Sequence, residues 1–265
     1  MNPATDALPD APLVAIGVDG APSGWVAASL YADALRPEDA SAWETRLRLF
    51  SNITELAEAR EREGERPSVA IDVPIGLPDT AGYRACDSEA RILLKQVGRA
   101  SSVFAPPARY MLEAAGDYPA IRALVEQERQ RNPAAKGISS QSAALAPKIK
   151  EVDSWVRAHP DCHVWLVECH PELSWYALSE REGLLDKRSG SGLVRRLQLL
   201  RELFPDAEEC IAASPWSGKH ATLSDLLDAY AALSSALAFA RGPGEYEELG
   251  ECERDAEGLP MRMVM

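Results

Sequence analysis

Three short apolar stretches in this chain each end at an acidic residue, and this pattern restricts the fold more than any other feature. The stretches cover residues 13–18, 69–71 and 163–167. Asp19, Asp72 and Glu168 follow them directly. Short, nearly continuous apolar stretches are typical of strands buried on both faces of a parallel sheet. Because the carboxyl ends of parallel strands share one sheet edge, where ligands usually bind, we expect the three carboxylates to converge there.

The other segments predict how the sheet is completed. Residues 25–31 and 46–50 follow the first strand through short connections, which favours an antiparallel meander. The element order predicts an α/β protein with a mixed five-stranded sheet, order 3-2-1-4-5, and helices on both faces. The expected organisation is a flexible leader (1–12), a single domain (13–241) with a helical insertion at about 79–155, and an acidic tail (242–265) that could add a short edge strand.

Charge is distributed unevenly along the chain. The sequence has 28 basic and 41 acidic side chains, a formal net charge of −13. Residues 81–150 carry eleven basic and six acidic side chains, a net of +5, so the remainder carries −18. The overall charge opposes bulk attraction of a polyanion, so a nucleic-acid partner would have to bind through the basic insertion. The alternative is that these cations only form helix faces that are exposed to solvent.

Cysteine usage and hydropathy bear on the compartment. The five cysteines include no CxxC pair, and the first twelve residues lack the features of a secretory signal. No apolar stretch approaches the roughly 18–20 residues that span a bilayer. We therefore expect a cytoplasmic protein without a membrane segment. A zinc site from Cys162-His163 and Cys169-His170 is disfavoured, because a predicted strand separates the two pairs.

A fourth acid comes from the last predicted helix, which runs from Asp225 to Arg241 with Ser224 as its cap and Gly242 at its end. Asp228 lies among core-spaced residues, whereas Asp225 is explained as a first-turn acid. Four clustered carboxylates repel one another unless a cation lies between them. Oxygen ligands favour Mg²⁺ or Mn²⁺, and two such ions can activate water in phosphodiester cleavage. For each acid alone, the alternative is a helix cap or a turn.

Local motifs connect these acids with a known family. The motifs that carry the resemblance include Gly17-Val18-Asp19-Gly20, Ile71-Asp72-Val73-Pro74, Ser101-Ser102-Val103-Phe104, Pro147-Lys148-Ile149, Glu168-Cys169-His170-Pro171 and Leu226-Leu227-Asp228-Ala229. Together, over residues 14–241, they resemble the domain-of-unknown-function family 429, whose members are regarded as predicted ribonuclease H-like nucleases. The resemblance implies that Asp19 bridges the metals and that Asp72, Glu168 and Asp228 complete the shell. Classical ribonucleases H take an acid from the first helix, but here Glu55 and Glu58 lie in an ordinary charged stretch.

Further residues are candidates for substrate binding. Lys148 and Arg109 are the best candidates for phosphate contacts, and Gln141 for a hydrogen bond from the insertion loop. His170 directly precedes Pro171 and could shuttle a proton or position water. The alternatives are solvated cations and, for His170, a residue at a helix entry.

The hypothesis from the sequence is a metal-dependent nuclease or phosphodiesterase acting on nucleic acid. One alternative is a nucleotide-binding or phosphotransfer protein of the actin-like fold, which also begins with Gly-x-Asp-Gly but needs a second copy of the fold. Another alternative is a non-catalytic ribonuclease H-like module that binds a partner through the basic insertion.

Overall fold

The computed structural model describes residues 9–36, 42–63, 66–187, 189–250 and 253–265, so residues 1–8 of the predicted leader lie outside it. The chain forms two compact units, each built from two stretches of sequence. The first unit combines residues 1–70 and 184–245, and the second combines residues 71–183 and 246–265.

Three consecutive strands come first among the described elements, and the helices follow them. The strands are β1 (Leu13–Ala21), β2 (Gly24–Tyr31), β3 (Glu44–Phe50), β4 (Ser68–Ile71), β5 (Leu166–Cys169), β6 (Glu248–Leu249) and β7 (Met263–Val264). The helices are α1 (Ile53–Glu63), α2 (Ala85–Lys95), α3 (Tyr118–Arg131), α4 (Ser140–Ala158), α5 (Pro171–Leu178), α6 (Gly190–Leu203), α7 (Ala207–Ala213) and α8 (Leu223–Arg241). Short 3-10 segments cover Ala100–Ser102, Arg109–Ala114 and Pro160–Val164.

The sheet is mixed, as the sequence predicts, but it is larger than the predicted five strands. Its seven strands have the order β3-β2-β1-β4-β5-β7-β6. The two additional strands come from the end of the second unit, where β7 pairs parallel with β5 and antiparallel with β6. The prediction of five strands was therefore wrong, although the suggested short strand in the tail is present as β7. Two-residue strands have no hydrophobic period of their own, and β6, which forms the sheet edge beyond β7, was not predicted.

The core of the first unit is the contact between α8 and the strands β1 and β2. The helix is apolar around its circumference, and residues 226–237 are buried without interruption. It is long and apolar enough to cross a membrane, so the prediction that no apolar stretch approaches that length was wrong. Most of the helix, however, is buried inside the protein. Because its apolar surface is covered by its own sheet, α8 is a core helix of this unit.

The core of the second unit is formed in part by the last residues of the sequence. Met263 and Leu249 pack in one buried cluster with Leu94 of α2 and Leu173 of α5. Gly250 has a φ of +78°, and a Cβ there would lie 2.6 Å from the Cβ of Cys86. The close approach of the chain to α2 therefore requires glycine at this position.

Two strand ends differ from the sequence prediction. The predicted strand 163–167 begins three residues late, at Leu166, because Pro160 starts a 3-10 segment that continues to Val164. Glu168 consequently lies inside β5 rather than after it. Asp19 also lies inside its strand, since the antiparallel pairing of β1 with β2 continues to Ala21.

Candidate active site

In the first unit, a glycine lets the main chain of β1 touch the main chain of α8. A Cβ at Gly17 would lie 2.3 Å from the carbonyl oxygen of Ala229 and 1.9 Å from the backbone nitrogen of Leu233. The side of β1 on which a Gly17 side chain would stand therefore faces α8. Asp19 stands on that same side, because the pairing of β1 with β2 is regular from Gly17 onward and strand side chains alternate.

The direction of α8 brings Asp228 toward the level of Asp19. Ser23, in the turn after β1, donates hydrogen bonds from its backbone N and its Oγ to the carbonyl oxygen of His220, at 3.4 and 3.1 Å. Since His220 lies just before α8, the helix begins at the turn and runs back along β1. Asp19 is two strand residues closer to the turn than Gly17, about 6.7 Å. The same distance covers about four helix residues, so the level of Asp19 corresponds to residues 225–229 of α8, a segment that contains Asp228.

Both carboxylates are nearly covered. The exposed fraction is 8% for Asp19 and 6% for Asp228. Asp19 Oδ1 accepts a hydrogen bond from the backbone N of Gly20 at 2.8 Å. Asp228 Oδ2 forms an ion pair with Lys187 Nζ and accepts a hydrogen bond from Ser224 Oγ at 3.3 Å. The lysine thus balances the negative charge of Asp228.

The donor set of the first unit fits a single hard cation. Asp19, Asp228 and the hydroxyl of Ser224 offer oxygen ligands, which Mg²⁺ and Mn²⁺ prefer. Mg²⁺ commonly binds through one or two carboxylates and keeps several water ligands. Among the residues that the structure describes, no group of three or more His, Cys, Asp or Glu side chains is arranged to hold a metal. The donor set of Asp19, Asp228 and Ser224 therefore fits one water-bearing ion, and the site of four carboxylates stays a prediction from the sequence.

Glu168, in the second unit, belongs to a buried ion-pair cluster. Arg84 Nη1 and Nη2 donate to the two carboxylate oxygens of Glu168 at 2.8 and 2.5 Å. Asp87 accepts from Arg84 Nε and Nη2 at 3.0 and 2.8 Å, and the backbone N of Ile75 donates to Glu168 at 2.7 Å. Burial acts to lower the pKa of Arg84, but the Glu168 and Asp87 carboxylates raise it well above its ordinary value. Both oxygens of Glu168 are therefore engaged within the cluster.

The other predicted site residues of the second unit differ in exposure. Asp72 directly follows β4, as predicted, and is half-buried. Lys148 is half-buried on α4, and Gln141 is exposed in the first turn of the same helix.

Arg109, a predicted phosphate contact, is held by two carboxylates of its own unit. It donates to Asp153 Oδ1 from Nε and Nη2, at 3.1 and 3.0 Å, and forms a second ion pair with Asp255. Burial acts to lower the pKa of Arg109, but its hydrogen bonds to Asp255 and Asp153 raise it. As placed, Arg109 ties residues 253–265 to the helical insertion.

His170 caps α5. Its Nδ1 accepts a hydrogen bond from the backbone N of Glu172 at 3.2 Å, and its Nε2 lies 3.3 Å from the carbonyl oxygen of Ser102. Both ring nitrogens of His170 therefore lie within hydrogen-bonding distance of the backbone. This geometry favours the alternative of a helix-entry residue.

Comparison with known proteins adds a family. A scan against family models matches residues 17–249 to the family described as "Protein of unknown function (DUF429)". The chain belongs to this family. Searches among curated proteins and among solved structures found no match to the chain.

The matched DUF429 region contains one residue of the site that sequence reasoning missed. Lys187 lies in the non-helical segment before α6, in a stretch with no periodic pattern or motif. Only the fold brings it to Asp228, 41 residues further along the chain. Neither the sequence around Asp228 nor the sequence around Lys187 indicates that the two side chains form a pair.

Proposed function

We propose that this DUF429 protein is a metal-dependent hydrolase that cleaves phosphodiester bonds of nucleic acid on a ribonuclease H-like fold. The observation that carries the proposal is the pair of buried carboxylates, Asp19 and Asp228, on the two elements joined at Gly17. The strand order β3-β2-β1-β4-β5 within the sheet supports the fold assignment, because it matches the order predicted from the sequence of elements, an arrangement that resembles the ribonuclease H fold.

In this proposal, Asp19 and Asp228 hold one Mg²⁺ or Mn²⁺ ion. Such an ion lowers the pKa of a bound water and neutralises charge on the phosphate oxygens. Ser224 and Lys187 orient the Asp228 carboxylate, and Lys187 compensates its charge when no cation is present. Burial of both acids limits their contact with bulk water, which strengthens their attraction for a cation. The metal-binding roles of Asp72 and Glu168 stay predictions from the sequence.

The test combines metal binding with hydrolysis of a simple phosphodiester. Binding of Mn²⁺ is measured from the loss of the free-ion electron paramagnetic resonance signal, and hydrolysis from release of p-nitrophenol from bis(p-nitrophenyl) phosphate. We expect Asp19→Asn and Asp228→Asn each to weaken Mn²⁺ binding at least tenfold and to abolish hydrolysis. Glu209→Gln is the matched control, because it removes one exposed carboxylate of α7 in the same unit.

The outcomes separate the proposal from its alternatives. If both Asn variants bind Mn²⁺ as the wild type does, the assigned metal site is wrong. If the wild type binds Mn²⁺ at this pair but hydrolyses neither the chromogenic diester nor an oligonucleotide, the hydrolase assignment fails. Parallel measurements on Asp72→Asn show whether the second predicted acid belongs to the same site.

A further inference from the structure

The positive charge of the insertion is distributed differently in the structure than along the sequence. Lys95 is exposed, but the other four cations in the first half of the basic segment, residues 81–115, are held by internal contacts. They are Arg84 with Glu168, Arg91 with the carbonyl oxygens of Ala100 and Val103, Arg99 with Glu172, and Arg109 with Asp153. By contrast, α3 and the loop after it carry cations that are exposed: Arg122, Arg129, Arg131 and Lys136. Four exposed cations of the insertion therefore lie on α3 and in the loop after it, beside the three acids Asp117, Glu126 and Glu128.

A cavity of about 500 Å³ lies beside these cations. Ile121 and Val125 are buried and form its apolar floor, and Ile138 lines it from the following loop. Tyr118 stands at the cavity with 39% of its surface exposed. Its hydroxyl donates to the carbonyl oxygen of Ile138 at 3.4 Å, which joins the start of α3 to the loop. The cavity thus has an apolar base and an accessible aromatic ring.

The charged side chains of the lining are two arginines and one glutamate, Arg122, Arg129 and Glu126. Arg129 donates to the carbonyl oxygen of Ala135 at 3.1 Å and pairs with Glu126 at 3.1 Å. The pair with Glu126 is exposed on both sides, with side-chain exposed fractions of 46% and 69%, so it is weak and can yield to another anion.

We propose that this cavity binds one nucleotide of a single-stranded nucleic acid. The base packs on the apolar floor and against Tyr118, and the neighbouring phosphates contact Arg122 and Arg129. Aromatic rings and arginine planes are the usual partners of unpaired bases, and arginine binds phosphate well. A base inside a duplex cannot reach the floor, so the cavity selects unpaired strands. The choice of ligand rests on the proposed function, and local charge supports it, because the two arginines of the lining outnumber its one glutamate.

The experiment measures binding without cleavage. Fluorescein-labelled dT12, rU12 and a twelve-base-pair DNA duplex are titrated in EDTA at 50 and 200 mM NaCl, and fluorescence anisotropy is recorded. The variants are Tyr118→Leu, which keeps an apolar side chain, and the double change Arg122→Ala with Arg129→Ala. Arg131→Ala with Lys136→Ala is the matched control, since it removes the same charge from exposed positions outside the cavity lining.

We expect wild type to bind both single strands at 50 mM NaCl and the duplex at least tenfold more weakly. Arg122→Ala with Arg129→Ala should weaken single-strand binding at least tenfold and reduce the salt slope by about 1.4, at about 0.7 for each phosphate contact. Tyr118→Leu should weaken binding about tenfold with an unchanged slope, because it removes stacking and no charge. The control pair should change binding less than threefold. A difference between dT12 and rU12 tells whether DNA or RNA is preferred.

Four results would overturn the inference: absence of single-strand binding at 50 mM NaCl, duplex binding as tight as single-strand binding, equal losses in the two double variants, or equal competition by polyglutamate. The last would identify an acidic peptide as the ligand. Hydrolysis of bis(p-nitrophenyl) phosphate tests the proposed function separately, because that substrate has no strand to bind. Failure of one assay therefore leaves the other interpretable.

Discussion

Replacing Gly17 by alanine tests the contact on which the candidate site depends. The new Cβ would lie 1.9 Å from Leu233 N, whereas ordinary van der Waals contact begins at 3.4 Å. Either β1 or α8 must therefore move by about 1.5 Å, the difference between the two distances. Both neighbouring atoms are backbone, so no side chain can rotate to make room. Overpacking of this kind costs typically about 1–3 kcal/mol, and we expect the upper end.

Thermal unfolding followed by circular dichroism measures this cost. A loss of about 3 kcal/mol corresponds to a decrease in Tm of about 6–12 °C for a protein of this size. Gly218→Ala is the control, because a Cβ at that exposed turn meets no atom within 4 Å. Displacement of β1 should also weaken Mn²⁺ binding, since it moves Asp19 away from Asp228. A Gly17→Ala protein that melts within 1 °C of Gly218→Ala would refute the close contact of β1 with α8.

Two further predictions concern the buried ion pairs of the second unit. Arg109→Ala leaves Asp153 and Asp255 buried without this cation, so the free energy of unfolding should fall by about 3 kcal/mol in urea titrations. If Arg109 contacted only the substrate, its replacement would leave the free energy of unfolding unchanged. Burial acts to raise the pKa of Asp255, but hydrogen bonds from Arg109 and from the backbone of Leu77 and Leu259 lower it below its ordinary 3.8. The stability that this shift contributes is present above pH 3.8 and is lost as the pH falls through the pKa of Asp255 in the folded protein. The decrease in the free energy of unfolding between pH 7 and pH 3 should therefore be smaller in Arg109→Ala than in the wild type. Glu168→Gln leaves Asp87 as the remaining carboxylate partner of Arg84, so it should lower Tm without changing the affinity for Mn²⁺. An unchanged Tm together with a loss of Mn²⁺ binding would instead show that Glu168 is a metal ligand.

Patterns that are local in sequence predicted much of the fold. The antiparallel meander of the first three strands is confirmed, because short connections leave few other pairings. The last helix ends at Arg241 with Gly242 at a φ of +97°, as predicted. Its start was predicted two residues too late. Thr222 caps α8 through a reciprocal pair of hydrogen bonds with Asp225, whereas Ser224 bonds to Asp228.

Contacts between distant residues could not be predicted in the same way. The partner of Arg109 lies 146 positions away at Asp255, and Arg84 meets Glu168 across 84 positions. A basic segment in the sequence therefore suggests a phosphate-binding surface even where its cations are already paired. The candidate acids Asp19 and Asp228 could be proposed from strand and helix patterns, but the cation beside Asp228 could not.

The discontinuity of the second unit has a consequence for its synthesis. Strand β7 leaves the ribosome about 80 residues after Gly183, where the first stretch of the unit ends. At about 5–20 residues per second this interval lasts roughly 4–16 s. During that time β5 lacks the strand that pairs with Glu168 and Cys169, and the Asp255 partner of Arg109 has not yet been made. A nascent chain with an unpaired strand edge invites pairing with other chains, so this interval is when the protein has most need of a chaperone.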